Sequence, residues 1–199
     1  MSLQLIGLAL GTSFAAGLNL YATVATLGLL ERFGVVTLPP PLHPLAHPVV
    51  IGVALFLYAI EFFADKIPYV DTAWDTLHTF IRPPAAAILA YAAVTGVPEP
   101  WRIVAALVAG GVALTSHGTK TTTRAAVNTS PEPISNWILS VVEDGLAIAL
   151  AWLAAAHPIL TLGIVIALLA VSIWILVKVV GYFRRLFRST AARKRQTVP

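Results

Sequence analysis

The chain alternates long apolar runs with short breaks that are polar, proline-rich or both, and the runs have bilayer lengths. The first, from Leu3 to Leu30, is interrupted by Gly-Thr-Ser-Phe-Ala-Ala-Gly-Leu-Asn, which sets Ser13 and Asn19 inside an otherwise apolar helix. A proline-rich loop over residues 31–47 precedes a second run, Val49 to Ala64, which ends among Glu61, Asp65 and Lys66. Residues 66–84 are more polar and lead into the apolar segment 85–94. After a short loop, Ile103 to Thr115 leads into a threonine-rich connector. Ile134 to Ala156 and Ile159 to Val180 complete the series, the last being the cleanest. A helix crosses the hydrocarbon core in about 20 residues, so this pattern predicts an all-α polytopic membrane protein with about six transmembrane helices.

Polar residues inside these runs are placed with helical periodicity. Asp71, Asp75, His78 and Arg82 fall at i, i+4, i+7 and i+11, a single stripe, while Trp74, Leu77 and Ile81 face elsewhere. Pro83 and Pro84 follow at once and are expected to disrupt that helix. Glu143 and Asp144 stand near the middle of the fifth crossing, four residues after Ser140 at most. A carboxylate at the centre of a membrane helix costs at least about 2.5 kcal/mol, so two in succession imply a protein partner, a bound ion, trapped protons or a water-filled cavity.

Composition narrows the class. With 58% hydrophobic and 11% charged residues, the chain has too little polar surface for a soluble globule. No room is left for a soluble catalytic domain. The absence of cysteine removes thiolate catalysis and thiolate metal sites. The net charge of +4 is concentrated toward the C-terminus, in Lys178, Arg184, Arg185, Arg188, Arg193, Lys194 and Arg195. This reads as topology information rather than nucleic-acid binding. No Lys or Arg precedes the first apolar run, so that run is expected to be a crossing and not a cleaved leader.

Internal similarity suggests three parallel two-helix repeats, 1–66, 67–120 and 121–182, followed by a basic cytoplasmic tail, 183–199. Ala46-His47-Pro48 echoes Ala156-His157-Pro158, each opening a crossing that ends in lysine. The first helix of each repeat is expected to be interrupted, around Ser13, Thr79 and Ser140, and the repeat alignment puts Arg82 level with Glu143. The positive-inside bias then places both termini in the cytoplasm of a bacterial inner membrane. Three segments, Glu-Phe-Phe-Ala-Asp-Lys-Ile-Pro-Tyr-Val-Asp, His-Gly-Thr-Lys-Thr-Thr-Thr-Arg and Ser-Val-Val-Glu-Asp-Gly, resemble a bacterial integral-membrane family known as domain of unknown function 4126. That resemblance covers nearly the whole membrane part and implies no activity.

The expected function is therefore argued from charge and depth. A transporter or channel for a small solute or ion, specifically a cation or proton-coupled one, would line its path with Glu143, Asp144, Arg82, Asn19, Ser13 and Ser140. A carboxylate vestibule toward the cytoplasm would use Glu61, Asp65, Lys66, Asp71, Asp75 and His78. The alternative is a lipid-handling protein, scramblase-like or acting on a phosphorylated lipid, in which His117, Lys120, Thr121 and Arg124 cradle a headgroup. No catalytic residue is assigned, since Ser140 with Glu143 lacks a histidine or elbow motif. No cofactor is implied, and no spacing such as H-E-x-x-H names a metal. Expected partners are the bilayer and a small solute or ion, with no nucleic acid and room for an oligomer.

Overall fold

A computed structural model describes residues 2–67, 69–127 and 133–196, with side chains as far as residue 182. The described residues form helices and no strands. In order these are α1 (Leu3–Leu18), α2 (Leu20–Arg32), a 3-10 segment (Pro40–Ala46), α3 (Pro48–Ala64), α4 (Val70–Ala93), α5 (Glu99–Val127), α6 (Pro133–Ala156) and α7 (Pro158–Gln196).

The axis of the bundle is α1, in which every residue from Gly7 to Leu18 except Leu10 is buried. Its small residues let other helices approach to backbone contact. A Cβ on Gly17 would collide with Ser116 Oγ and the Ala113 carbonyl of α5, and one on Gly7 with the Pro158 carbonyl at the start of α7. The chain breaks once inside this element, at Asn19. That residue is extended (φ −151°, ψ 106°), ends α1, and accepts the Ala22 N–H at 2.9 Å to cap α2.

The two other expected interruptions do not occur. Helix α4 runs through Pro83 and Pro84, and α6 runs through Ser140, Glu143 and Asp144. The prolines remove only two helical donors, to the Thr79 and Phe80 carbonyls, and packing against α5 holds the helix together. Gly110 is the fitted residue there, since a Cβ on it would stand 3.3 Å from the Pro83 carbonyl. Helix α7 continues through the expected tail as far as Gln196, beyond the apolar stretch that ends at Tyr182. The side chains of residues 183–199, which carry the tail's charges, lie outside the described residues.

Two helices, Ile134–Ala156 and Pro158–Tyr182, are long and apolar enough to cross a membrane. The 3-10 segment and α3, bent by 67°, together make a third if they count as one span. The expected six are thus not all visible in apolar length. Helices α4 and α5 have the length, with 24 and 29 residues, but carry the charged stripes. Those stripes point inward. On α4, Asp71, Asp75, His78 and Arg82 are buried, while Leu77, Phe80 and Ile88 are exposed. On α5, Ser116, His117, Lys120 and Arg124 are buried, while Leu107, Val108 and Leu114 are exposed. An apolar exterior around a charged interior inverts the pattern of a soluble bundle and fits association with a membrane.

Candidate functional site

The break at Asn19 leaves the carbonyls at the end of α1 without helical donors, and cationic side chains take them. Arg82 Nη1 donates to the Gly17 and Leu18 carbonyls, both at 2.9 Å, and Lys120 Nζ donates to the Leu18 carbonyl at 3.2 Å. The negative end of the α1 dipole therefore faces two cations. On the other side of the break, Asn19 Nδ2 donates to Asp144 Oδ1 at 2.9 Å. A single residue thus caps one half-helix and holds a carboxylate in the middle of α6, a helix long and apolar enough to cross a membrane.

From this level a column of charge runs toward the turn between α3 and α4. Arg82 Nη2 donates to Glu61 Oε1 at 2.6 Å, and Lys120 donates to Asp65 Oδ2 at 2.9 Å. Arg124 is the hub of the lower part. It donates to Glu143 Oε2 at 2.6 Å, Asp65 Oδ2 at 3.0 Å, Asp71 Oδ1 at 3.0 Å and the Asp65 carbonyl at 2.9 Å. Burial alone would raise the Asp65 carboxyl, just past the end of α3, but Lys120 and Arg124 beside it hold it below the ordinary value. Along α4, the twelve residues from Asp71 to Arg82 span about 16 Å. The other half of the interior is apolar, with Ala9, Ala90, Val94 and Ala109 packed together.

The histidines belong to the same network. The Trp74 carbonyl at 2.8 Å can only accept, so His78 carries its proton on Nδ1, and Nε2 accepts from the Tyr21 hydroxyl at 3.1 Å. His117 Nδ1 faces an Arg82 donor at 2.8 Å, so its proton is on Nε2, which donates to the Asp75 carbonyl at 3.0 Å.

The structure brings most of the expected residues together, with partners different from those expected. Arg82 does not pair with Glu143 or Asp144. It takes Glu61, Glu143 goes to Arg124, and Asp144 goes to Asn19. Glu61, Asp65, Asp71, Asp75 and His78 are buried rather than arranged as an open vestibule. Lys120, Arg124 and His117 are buried as well, and their donors are committed to carboxylates and carbonyls, so they do not form a surface cradle for a headgroup. Thr121 is half-buried, 3.5 Å from Asp75 Oδ2. Lys66 stands apart, donating to the Phe62 carbonyl and lying over the Phe62 ring. Ser13 makes an ordinary bond back to the Ala9 carbonyl, and Ser140 is buried with no hydrogen-bond partner among the described residues. A lateral groove of about 450 Å³ opens between α2, α3 and α4, but Leu20, Val24, Val53, Leu57 and Ile88 line it and no cation does.

Several participants escaped sequence reasoning. Asn136 donates to the Asp65 carbonyl at 3.2 Å, and Tyr21, Thr79 and Ser116 support the network. Asn136 was detectable in principle, because it precedes Ser140 by four residues and Glu143 by seven on one helical face.

These features define a class: an all-helical protein with membrane-length apolar helices folded around a buried ionic core. The chain belongs to the family described as Domain of unknown function (DUF4126), whose model matches residues 6–178. No curated protein and no solved structure matches it.

Proposed function

We propose that this protein moves a proton or small cation across a bacterial inner membrane through the buried carboxylate column. The observation that carries this reading is a charge imbalance. Among the described residues, six buried carboxylates (Glu61, Asp65, Asp71, Asp75, Glu143 and Asp144) face three permanent cations (Arg82, Lys120 and Arg124). Even with Asp71 set aside, five ionised acids outnumber the three cations by two among the described residues, and an excess of this kind is tolerated only with a mobile positive partner. Glu61 Oε2, Asp65 Oδ1, Asp75 Oδ1 and Asp144 Oδ2 also have no hydrogen-bond partner among the described residues. Such buried acceptors are costly unless something transient satisfies them.

The topology under this reading has six crossings, with α1 and α2 forming one broken span and α3 to α7 one each. Both termini and the α3–α4 turn then lie on the cytoplasmic side. The column connects that side to mid-depth, where a broken helix presents both of its dipole ends, an arrangement suited to ion sites in transporters. The packed apolar half is the barrier that a transport cycle has to open.

The test is flux in reconstituted vesicles, followed with a pH-sensitive dye and cation indicators. Wild type is expected to conduct. Asp144→Asn, which keeps the Asn19 contact within reach but removes an uncompensated charge, is expected to abolish conduction in a folded protein. Conduction unchanged in Asp144→Asn, or no flux of any cation through wild type, would sink the proposal.

A further inference from the structure

The excess charge is not spread evenly. Pairing each cation with its nearest acid joins Arg82 to Glu61 at 2.6 Å, Arg124 to Glu143 at 2.6 Å and Lys120 to Asp65 at 2.9 Å. Asp144 and Asp75 are left over, while Asp71 has Arg124 at 3.0 Å. Asp144 sits by itself at Asn19, whereas Asp71 and Asp75 lie one turn apart on α4, next to Asp65. One carboxylate oxygen from each of Asp65, Asp71 and Asp75 falls within 4.8 Å of the others, and all three residues are buried. An oxygen-ligated divalent ion binds at about 2.0–2.6 Å, which keeps its ligand atoms no more than roughly 4–5 Å apart. The triangle has that size.

A second observation points to a ligand there. Asp65 uses Oδ2 for both Lys120 and Arg124, and its Oδ1 has no hydrogen-bond partner among the described residues. Asp75 Oδ1 likewise has none, and its nearest cations, Arg82 and Lys120, stand off at 3.8 and 3.9 Å. Asp71 is anchored through Oδ1 to Arg124. Arg124 thus orients two of the acids, as outer partners do around metal ligands.

We infer that Asp65, Asp71 and Asp75 form a site for one hard divalent cation, of the Mg²⁺, Mn²⁺ or Ca²⁺ kind, at the cytoplasmic end of the column. The inference rests on the proposed carboxylate path and specifies its cargo. All-oxygen ligation selects such ions over Zn²⁺ or Cu²⁺, which prefer nitrogen and sulfur. The ion would offset the negative charge on Asp75, whose nearest cations stand off at 3.8 and 3.9 Å, and would satisfy the orphan oxygens of Asp65 and Asp75. Lys120, close to Asp65 and Asp75, is its built-in electrostatic competitor.

Mn²⁺ is the probe, because its binding to the purified full chain in detergent reads out both by electron paramagnetic resonance and as a rise in Tm. Wild type is expected to bind one Mn²⁺, displaceable by Mg²⁺ or Ca²⁺. Asp75→Asn is expected to lose at least about tenfold in affinity, the lower end of what even outer-partner changes cost at metal sites. Without metal it is expected to unfold no earlier than wild type, since it removes an uncompensated charge. Lys120→Gln is expected to shift affinity the other way, and a purely structural role for the three acids would move neither value. Absent Mn²⁺ binding, or binding unchanged in Asp75→Asn, would overturn the site. The two readings fail separately: proton flux through a wild type that binds no Mn²⁺ removes only the divalent site, and Mn²⁺ binding without flux of any cation removes only transport.

Discussion

Arg82 is the residue whose loss the structure predicts most sharply. It is fully buried, and Arg82→Met would keep much of its volume while removing its charge and every donor. Glu61 would lose its 2.6 Å partner, and leaving one member of a buried pair uncompensated costs about 3–5 kcal/mol. The Gly17 carbonyl at the α1 break would lose its donor, at about 1–3 kcal/mol, whereas the Leu18 carbonyl keeps Lys120. Together the loss is roughly 4–8 kcal/mol, a large part of the stability of an ordinary domain. At about 2–4 °C per kcal/mol for this chain length, Tm should fall by roughly 10–30 °C. Glu61→Gln should cost much less, because Arg82 retains both carbonyls and has Asp75 at 3.8 Å. The double variant should recover a good part of the Arg82→Met loss, since no orphan charge remains. The assay is thermal unfolding in mild detergent, followed by the intrinsic fluorescence of the five tryptophans. An Arg82→Met protein melting within about 2 °C of wild type would refute the reasoning, as would a double variant no better than the single one.

Other expectations follow from individual contacts. Gly17→Ala should destabilise by about 1–3 kcal/mol through overpacking against Ser116 and Ala113, whereas Gly52→Ala, with open space at its Cβ, should be neutral or slightly stabilising; their Tm order checks this. Glu143→Gln should lower Tm more than Asp144→Asn, because it strips Arg124 of its closest carboxylate, and equal losses would contradict the pairing. In this cysteine-free chain, single cysteines at the exposed positions Phe33 and Glu99 should react with an impermeant reagent from outside, and one at Ile67 only from the cytoplasm. Labelling of Ile67 and Phe33 positions from the same side would dismantle the six-crossing topology.

How much of this was legible in the sequence depended on whether a feature was local. The α4 stripe was readable, because residues spaced four, three and four apart share a helical face whatever they pack against. So was a break in the first helix, since Gly17 and Asn19 are poor choices for an uninterrupted span. Partner choice was not readable. Arg124 meets Asp71 and Asp65 across 53 and 59 residues, and no periodicity in either helix encodes that. The alignment of repeats set Arg82 level with Glu143, while the carbonyls freed at Asn19 draw it to α1 and Glu61 instead. The threonines around Lys120 lowered local hydropathy enough to suggest an exposed connector, although Lys120 and Arg124 point to the interior of a long helix. Pro83 and Pro84 misled for a related reason. Local chemistry counts the two lost hydrogen bonds, but only the fold reveals the close packing that outweighs them.

The inward stripes of α4 and α5 also constrain how the protein is made. A lone α4 would bring Asp71, Asp75 and Arg82 into lipid at about 2.5–3.5 kcal/mol for each charge near the centre, which its apolar outer face does not clearly offset. On the proposed six-crossing topology, independent insertion of α4 ahead of its partners is therefore disfavoured. The order of synthesis suits a different route. The broken first span and α3 emerge early and present Glu61 and bare carbonyls; Arg82 then has somewhere to go, and α5 next delivers Lys120 and Arg124 to acids already waiting. A nascent chain stopped between α4 and α5 would hold Asp65 and Asp71 without their cations, and quality-control proteases should clear it while sparing the finished bundle.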